Sequence, residues 1–147
     1  DVRTICETND CGRYGKSWAC PPVIGAIEEC IERTRAYPNC LVFSTVTQVA
    51  DSFDMQGCLD ARGDHEDVTY EIAKLFREKT DEPIVLSTGC MACKTCSYPD
   101  APCRFPERAF PTIESYGILI MQLAAQLGMS YDCGQNMVTY FSMILYK

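Results

Sequence analysis

Four cysteines fall within one short stretch, "GCMACKTCSYPDAPCRFP" at residues 89–106, spaced C-x2-C-x2-C-x6-C. Cys90, Cys93 and Cys96 recur at every third position, which in a tight turn can aim three sulfurs at one point. Bacterial ferredoxins use that run for three corners of a [4Fe–4S] cubane. Zinc sites more often use two separated C-x2-C pairs, because a tetrahedral ion needs two facing knuckles. The evenly spaced third cysteine therefore favours an iron–sulfur cluster, with zinc as the alternative. Cys103 could complete the same cubane or, as the fourth cysteine does in two-cluster ferredoxins, ligate another.

A second thiol-rich stretch lies near the start, "CETNDCGRYGKSWACPP" at residues 6–22. It offers Cys6, Cys11 and Cys20 in a C-x4-C-x8-C spacing. Pro21 and Pro22 restrict the backbone after Cys20 and hold that ligand in place. Together the loops supply seven cysteines, one fewer than two cubanes require. Cys58, Cys133 or a non-cysteine ligand could fill the gap, or both loops could share one cluster. Metal-bound thiolates are stabilised by nearby cations and N–H groups. Lys16, Lys94 and Arg104 lie within or beside the loops and fit that role, or serve as solvated loop charges. Trp18 could shield a cluster from water or pack as an ordinary core aromatic.

Eleven cysteines is an odd number, so complete intrachain pairing would leave one thiol over. With long helical and strand patterns also present, this favours a reducing, cytoplasmic setting with thiolates as metal ligands. The chain has 147 residues, enough to bury a core without staples. It is 47% hydrophobic and carries a formal charge of −7, without a basic run, which argues against binding a nucleic-acid backbone. No apolar run approaches the roughly 20 residues of a membrane span. No signal peptide is visible, in a chain that begins at Asp1.

The elements that must position the loops read as one α/β domain over residues 1–147. A helix is expected over 23–37, with Val23, Ile27, Cys30, Ile31 and Thr34 on its apolar side. "CLVFSTVTQVA", 40–50, is apolar on both faces and predicts a buried central strand. Residues 51–64 read as loop. A helix follows over 65–79 with Val68, Ile72, Leu75 and Phe76 as its core stripe. "PIVLS", 83–87, predicts a strand leading into the second loop. A third helix is expected from Thr112, its N-cap, to Gly128, and a last strand over 137–146. Consecutive β-α-β units predict a small, mostly parallel sheet of at least three strands with packed helices.

Several candidate residues have plainer readings. Cys30 and Cys40 are expected to be core thiols. His65, the only histidine, is expected to be solvated or to cap its helix, and its solitude removes the usual His-based catalytic arrangements. Glu114 could act as an acid or base but suits the favourable first turn of a helix. The glycines form no phosphate-binding pattern.

The two cysteine motifs, in register and followed by "PTIESYGI", resemble a family of prokaryotic proteins described as predicted metal-binding. The resemblance covers nearly the whole chain. It implies metal or Fe–S binding by Cys11, Cys20, Cys90, Cys93, Cys96 and Cys103, with Cys6 matched less closely, and implies no particular reaction. Three functions fit these residues. The leading expectation is a protein with one or two [4Fe–4S] clusters that exchanges electrons with a redox protein partner. The others are an enzyme binding a small substrate at an open iron, and a structural zinc domain.

Overall fold

The computed structural model describes residues 2–147. Its elements run α1 (Arg3–Glu7), α2 (Ile27–Arg35), β1 (Asn39–Gln48), α3 (Met55–Lys79), β2 (Ile84–Leu86), α4 (Ile120–Gln126) and β3 (Met137–Tyr146). Two 3₁₀ turns, Pro106–Arg108 and Glu114–Tyr116, precede α4. The first cysteine loop lies between α1 and α2, the second between β2 and the second 3₁₀ turn.

The three strands are ordered β1-β3-β2, and β3 is antiparallel to both neighbours. The expected mostly parallel sheet is therefore wrong. β1 and β2 do point the same way, as strands linked through α3 should, but they do not touch. The last strand fills the slot between them, a split β-α-β arrangement. For the same reason β1 is an edge strand rather than a central one, and Cys40 on it is exposed rather than in the core.

The central strand obeys the two-residue period of a pleated sheet. Phe141, Met143 and Leu145 point to one face, joining Cys30 of α2, Leu86, Ile113, Tyr116, Ile120 and Ala124 in the larger core. Ile144 points to the other face and meets Val85, Phe110 and Ala73 of α3. The sheet thus carries α2 and α4 on one side and α3 on the other.

α3 is longer than expected, beginning at Met55 rather than His65. Asp54 is its N-cap and accepts a hydrogen bond from the Gly57 N–H at 2.9 Å. The N–H groups of Ala50 and Gly57 hold the Asp54 carboxyl below its ordinary value. The buried face of α3 is Ala61, His65, Glu66, Thr69 and Ala73, whereas Val68 and Leu75 are exposed. The helix is rotated because the sheet face beneath it carries serines, and polar side chains find partners there.

His65 is consequently buried, contrary to the expected solvated or capping place, at 1% exposure. Its Nδ1 lies 2.8 Å from Thr45 Oγ1 and its Nε2 2.7 Å from Ser142 Oγ. Ser142 continues to Thr69 at 2.8 Å and Ser87 at 2.7 Å, and Ser87 donates to Glu66 Oε1 at 2.8 Å. Every buried polar side-chain atom among the described residues has a partner, which is what makes such a network tolerable inside a core.

The expected third helix is broken in two. Gly117 has φ +80°, and a Cβ there would stand 2.9 Å from Ile27 Cδ1. Thr112 does act as a cap, its hydroxyl accepting from the Ser115 N–H at 3.1 Å.

Candidate metal centre

The second cysteine loop leaves and returns to the fold at one point. Ser87 bridges to Thr112, with Ser87 N–H donating to Pro111 O at 2.8 Å and Ile113 N–H to Ser87 O at 3.2 Å. Two neighbouring side chains of α3 grip this neck. Arg62 donates from Nε to Thr88 Oγ1 at 3.0 Å and from Nη2 to Thr88 O at 2.9 Å. Glu66 accepts from the Thr88 N–H at 3.2 Å and from the Thr88 hydroxyl. Gly89, at φ +112°, lets Arg62 pass within 2.9 Å of where a Cβ would sit. Inside the loop, Arg104 Nη1 donates to Thr95 O at 2.9 Å and Ser97 Oγ to Pro102 O at 2.9 Å.

The first loop is a chain of tight turns, closed by the Gly15 N–H donating to Pro21 O at 2.8 Å. It is tied to the body through α1. Arg3, buried at 5% exposure, donates to Ser115 O at 2.8 Å, to Gly25 O at 2.9 Å and to Cys30 Sγ at 3.2 Å.

The two loops dock on each other. Arg13 Nη1 donates to Cys90 O at 3.0 Å. Trp18 Nε1 donates to Ala101 O at 2.9 Å, and its ring meets Tyr98 edge-on at 4.9 Å. The Ser17 hydroxyl and the Trp18 N–H, both first-loop groups, are among the influences that lower the Cys96 thiol. The Ser17 hydroxyl also reaches Cys20.

Electrostatics follows this geometry. Burial pushes Cys6 up, Arg3 offsets part of that, and the charges of Cys11, Cys20 and Glu114 add to the rise. Cys20 is raised by burial, eased by Ser17 and Arg13, and raised further by Cys11 and Cys96. Cys90 is raised by burial and by Cys103, Cys93 and Cys96. Cys96 goes the other way. Burial works against its charge, but the Tyr98 and Trp18 N–H groups, the Ser17 hydroxyl and the Arg13 guanidinium outweigh it.

Six of the seven candidate thiols therefore lie on the two docked loops and the seventh, Cys6, on the short helix α1 that leads into the first; none is in a disulfide. Among the described residues no three His, Cys, Asp or Glu side chains close around one point tightly enough for a single ion. The donor set nonetheless suits a thiophilic metal group: several thiols that feel one another's charge, with N–H, O–H and guanidinium donors aimed at them. Lys16 and Lys94 are exposed, and the cations that act on the thiols are Arg13 and Arg3. Spacing gave Arg13 and Ser17 no prominence. The available signal was their place within the compact "CGRYGKSWACPP" run. Arg104 braces its own loop, and Trp18 is half-buried at the seam.

The remaining cysteines lie apart from this set. Cys30 is fully buried in the core, accepting also from Arg33 Nη2 at 3.1 Å. Cys58 is half-buried on α3, its carbonyl bound by the Tyr140 hydroxyl at 2.9 Å, and Cys133 is exposed. Burial holds the Glu114 carboxyl above its ordinary value, and that residue lines a cavity of about 170 Å³ with Ser87 and Thr88. A larger cavity of about 590 Å³ runs between α3 and the second loop, walled by Asp60, Asp64, Asp67, Met91, Phe105 and Arg108. No helix among the described residues is long and apolar enough to cross a membrane.

Comparison with known proteins agrees with this donor chemistry. Neither a curated protein nor a solved structure matches the chain. A family model described as "predicted metal-binding protein (DUF2284)" matches residues 1–146. Spanning all but the last residue of the sequence, that match makes the chain a member of this family of predicted metal-binding proteins.

Proposed function

We propose that the two docked loops hold one or two [4Fe–4S] clusters and that the protein passes single electrons to or from a protein partner in a prokaryotic cytoplasm. The observation that carries this is the seam itself, where Arg13 and Trp18 of the first loop donate to the Cys90 and Ala101 carbonyls of the second and so bring two thiol-bearing segments together. The C-x2-C-x2-C run adds the spacing that cubanes use. Cys6, Cys11, Cys20, Cys90, Cys93, Cys96 and Cys103 would supply the ligands. Such a cluster supplies reversible one-electron chemistry, at a potential set by its hydrogen bonds and surroundings. The chain's own contribution is to fix the thiols, donate N–H groups to them, and place Arg13 and Arg3 against their charge.

The cavity beside the second loop favours a second reading, an enzyme that brings a small substrate to an incompletely ligated iron. Met91 and Ala92, which lie between Cys90 and Cys93, form part of its wall.

Protein purified without oxygen tests the proposal. It should be brown, with broad absorbance near 400 nm, and should contain iron and acid-labile sulfide in roughly equal amounts. A colourless, zinc-loaded protein would overturn both readings in favour of a structural zinc domain.

A further inference from the structure

β1 has the sequence of an inner strand and the position of an outer one. Its residues, "NCLVFSTVTQ", include no charge, no proline and no glycine. Both of its faces are packed. Val42 lies against the larger core and Phe43 against the smaller, and Thr45 meets His65 of α3. Yet β3 alone pairs with it, in unbroken register from Asn39 opposite Tyr146 to Gln48 opposite Met137. No other described residue gives the β1 backbone a hydrogen bond. Its outward N–H and C=O groups therefore form a continuous row open to pairing.

Folded proteins ordinarily blunt such an edge with a charge, a proline, a bulge or a very short strand. The opposite edge of this sheet is treated that way. β2 spans only Ile84–Leu86, and beyond it the segment around Thr112 takes up the Ser87 N–H and C=O. β1 carries none of these devices. Leu41 and Val46 stand exposed on its two faces, and Cys40 is exposed beside them.

We propose that β1 pairs with the β1 of a second copy of this chain, antiparallel across a two-fold axis. The two sheets then join in the order β2-β3-β1-β1-β3-β2. Three observations favour a second copy as the occupant. An antiparallel pair of identical strands is self-complementary, each offering the other the same row of donors and acceptors. The formal charge of −7 opposes most approaches of one copy to another, and the uncharged strand lets them meet without like charges in contact. Pairing also closes the assembly, because the edges left over are the short β2 strands, so growth stops at two chains. The composition expected of a buried central strand is then accounted for, since β1 is internal in the pair. Nothing in this depends on whether the loops hold metal.

The full-length protein tests it, purified anaerobically so that exposed Cys40 and Cys133 stay reduced. Analytical ultracentrifugation from dilute to concentrated solution should show a species of two chains that dissociates on dilution. Leu41→Lys and Val46→Lys each put a charge on the edge and should raise the dissociation constant at least about tenfold. Both positions are exposed, and circular dichroism would check that the fold is kept. Met121→Lys, at an exposed apolar position of α4, should leave the pair intact. Hydrogen exchange read by mass spectrometry locates the contact. Amides of residues 39–48 should be slow in concentrated solution, and on dilution alternate ones should become fast, roughly halving the number protected. That comparison needs no substitution.

A single chain at every concentration would overturn the proposal and leave the edge to a strand from a different protein. A pair that both lysine variants leave at its original strength would overturn it too, because the contact would then lie on another surface. Protection over 39–48 that does not change on dissociation has the same consequence.

Discussion

Removing the imidazole at position 65 should change how stability depends on pH. Burial against the sheet pushes the His65 pKa from 6.5 down to about 4. The ring is therefore neutral when folded, with the Thr45 and Ser142 hydroxyls as its partners on either side. A histidine whose folded pKa is depressed contributes stability that is fully present above the unfolded pKa. That stability is lost as pH falls from about 6.5 toward 4, because the unfolded chain takes up the proton first. The gap between the two values corresponds to about 3 kcal/mol once complete, of which about 2 kcal/mol has gone by about pH 5. His65→Gln keeps a polar group near Ser142 but cannot titrate. At about pH 7.5 it should cost about 1–3 kcal/mol through the lost Thr45 contact and poorer packing. Urea unfolding followed by circular dichroism, run on both proteins from about pH 5 to about pH 7.5, gives the difference between them, in which proton uptake by the shared thiols cancels. The difference should shrink by about 2 kcal/mol at the acid end. A difference that stays level across this range would refute the claim that the histidine is held neutral by its burial.

Three further outcomes are expected. Cys30→Ser should leave metal content unchanged while lowering stability by about 1–3 kcal/mol, since it puts a more polar group in the core, as metal analysis and urea unfolding would show. Arg13→Gln removes the guanidinium at the seam and its bond to Cys90 O, so metal should be lost faster to a competing chelator, with partial recovery in Arg13→Lys. Gly117→Ala should cost about 1–2 kcal/mol in unfolding free energy from the left-handed backbone alone, and more from the contact with Ile27.

Much of the local structure was legible because it rests on period and punctuation. The β-branched and aromatic run that ends at Tyr146 is a strand, and Pro38 ends α2 before β1. The topology was not legible. Period tells which residues form strands but not which slot each strand takes, so nothing local reveals that Met137–Tyr146 inserts between β1 and β2. The buried face of α3 was missed for a related reason. Helical period marks an apolar stripe, whereas Ser142, Ser87 and Thr45 supply partners that draw His65, Glu66 and Thr69 inward. Asp54 was a usable cap signal, masked by the glycines and aspartates that follow it. In the candidate site, the thiols were visible as spacing, whereas the docking of the two loops was not, because it depends on Arg13 and Trp18 reaching backbone carbonyls of the second loop.

The middle strand comes after both thiol-bearing loops in the sequence. As a ribosome delivers the chain, β1 and β2 emerge with an empty lane between them and nothing to hydrogen-bond across it. The pairing of Asn39 with Tyr146 joins residues far apart in sequence, so the sheet closes late and slowly. Until it does, the neck at Ser87 lacks its contact with Ser142. Order at the neck of the second loop is therefore coupled to residues of the far end of the chain, and whatever loosens the central strand loosens the loop's anchor.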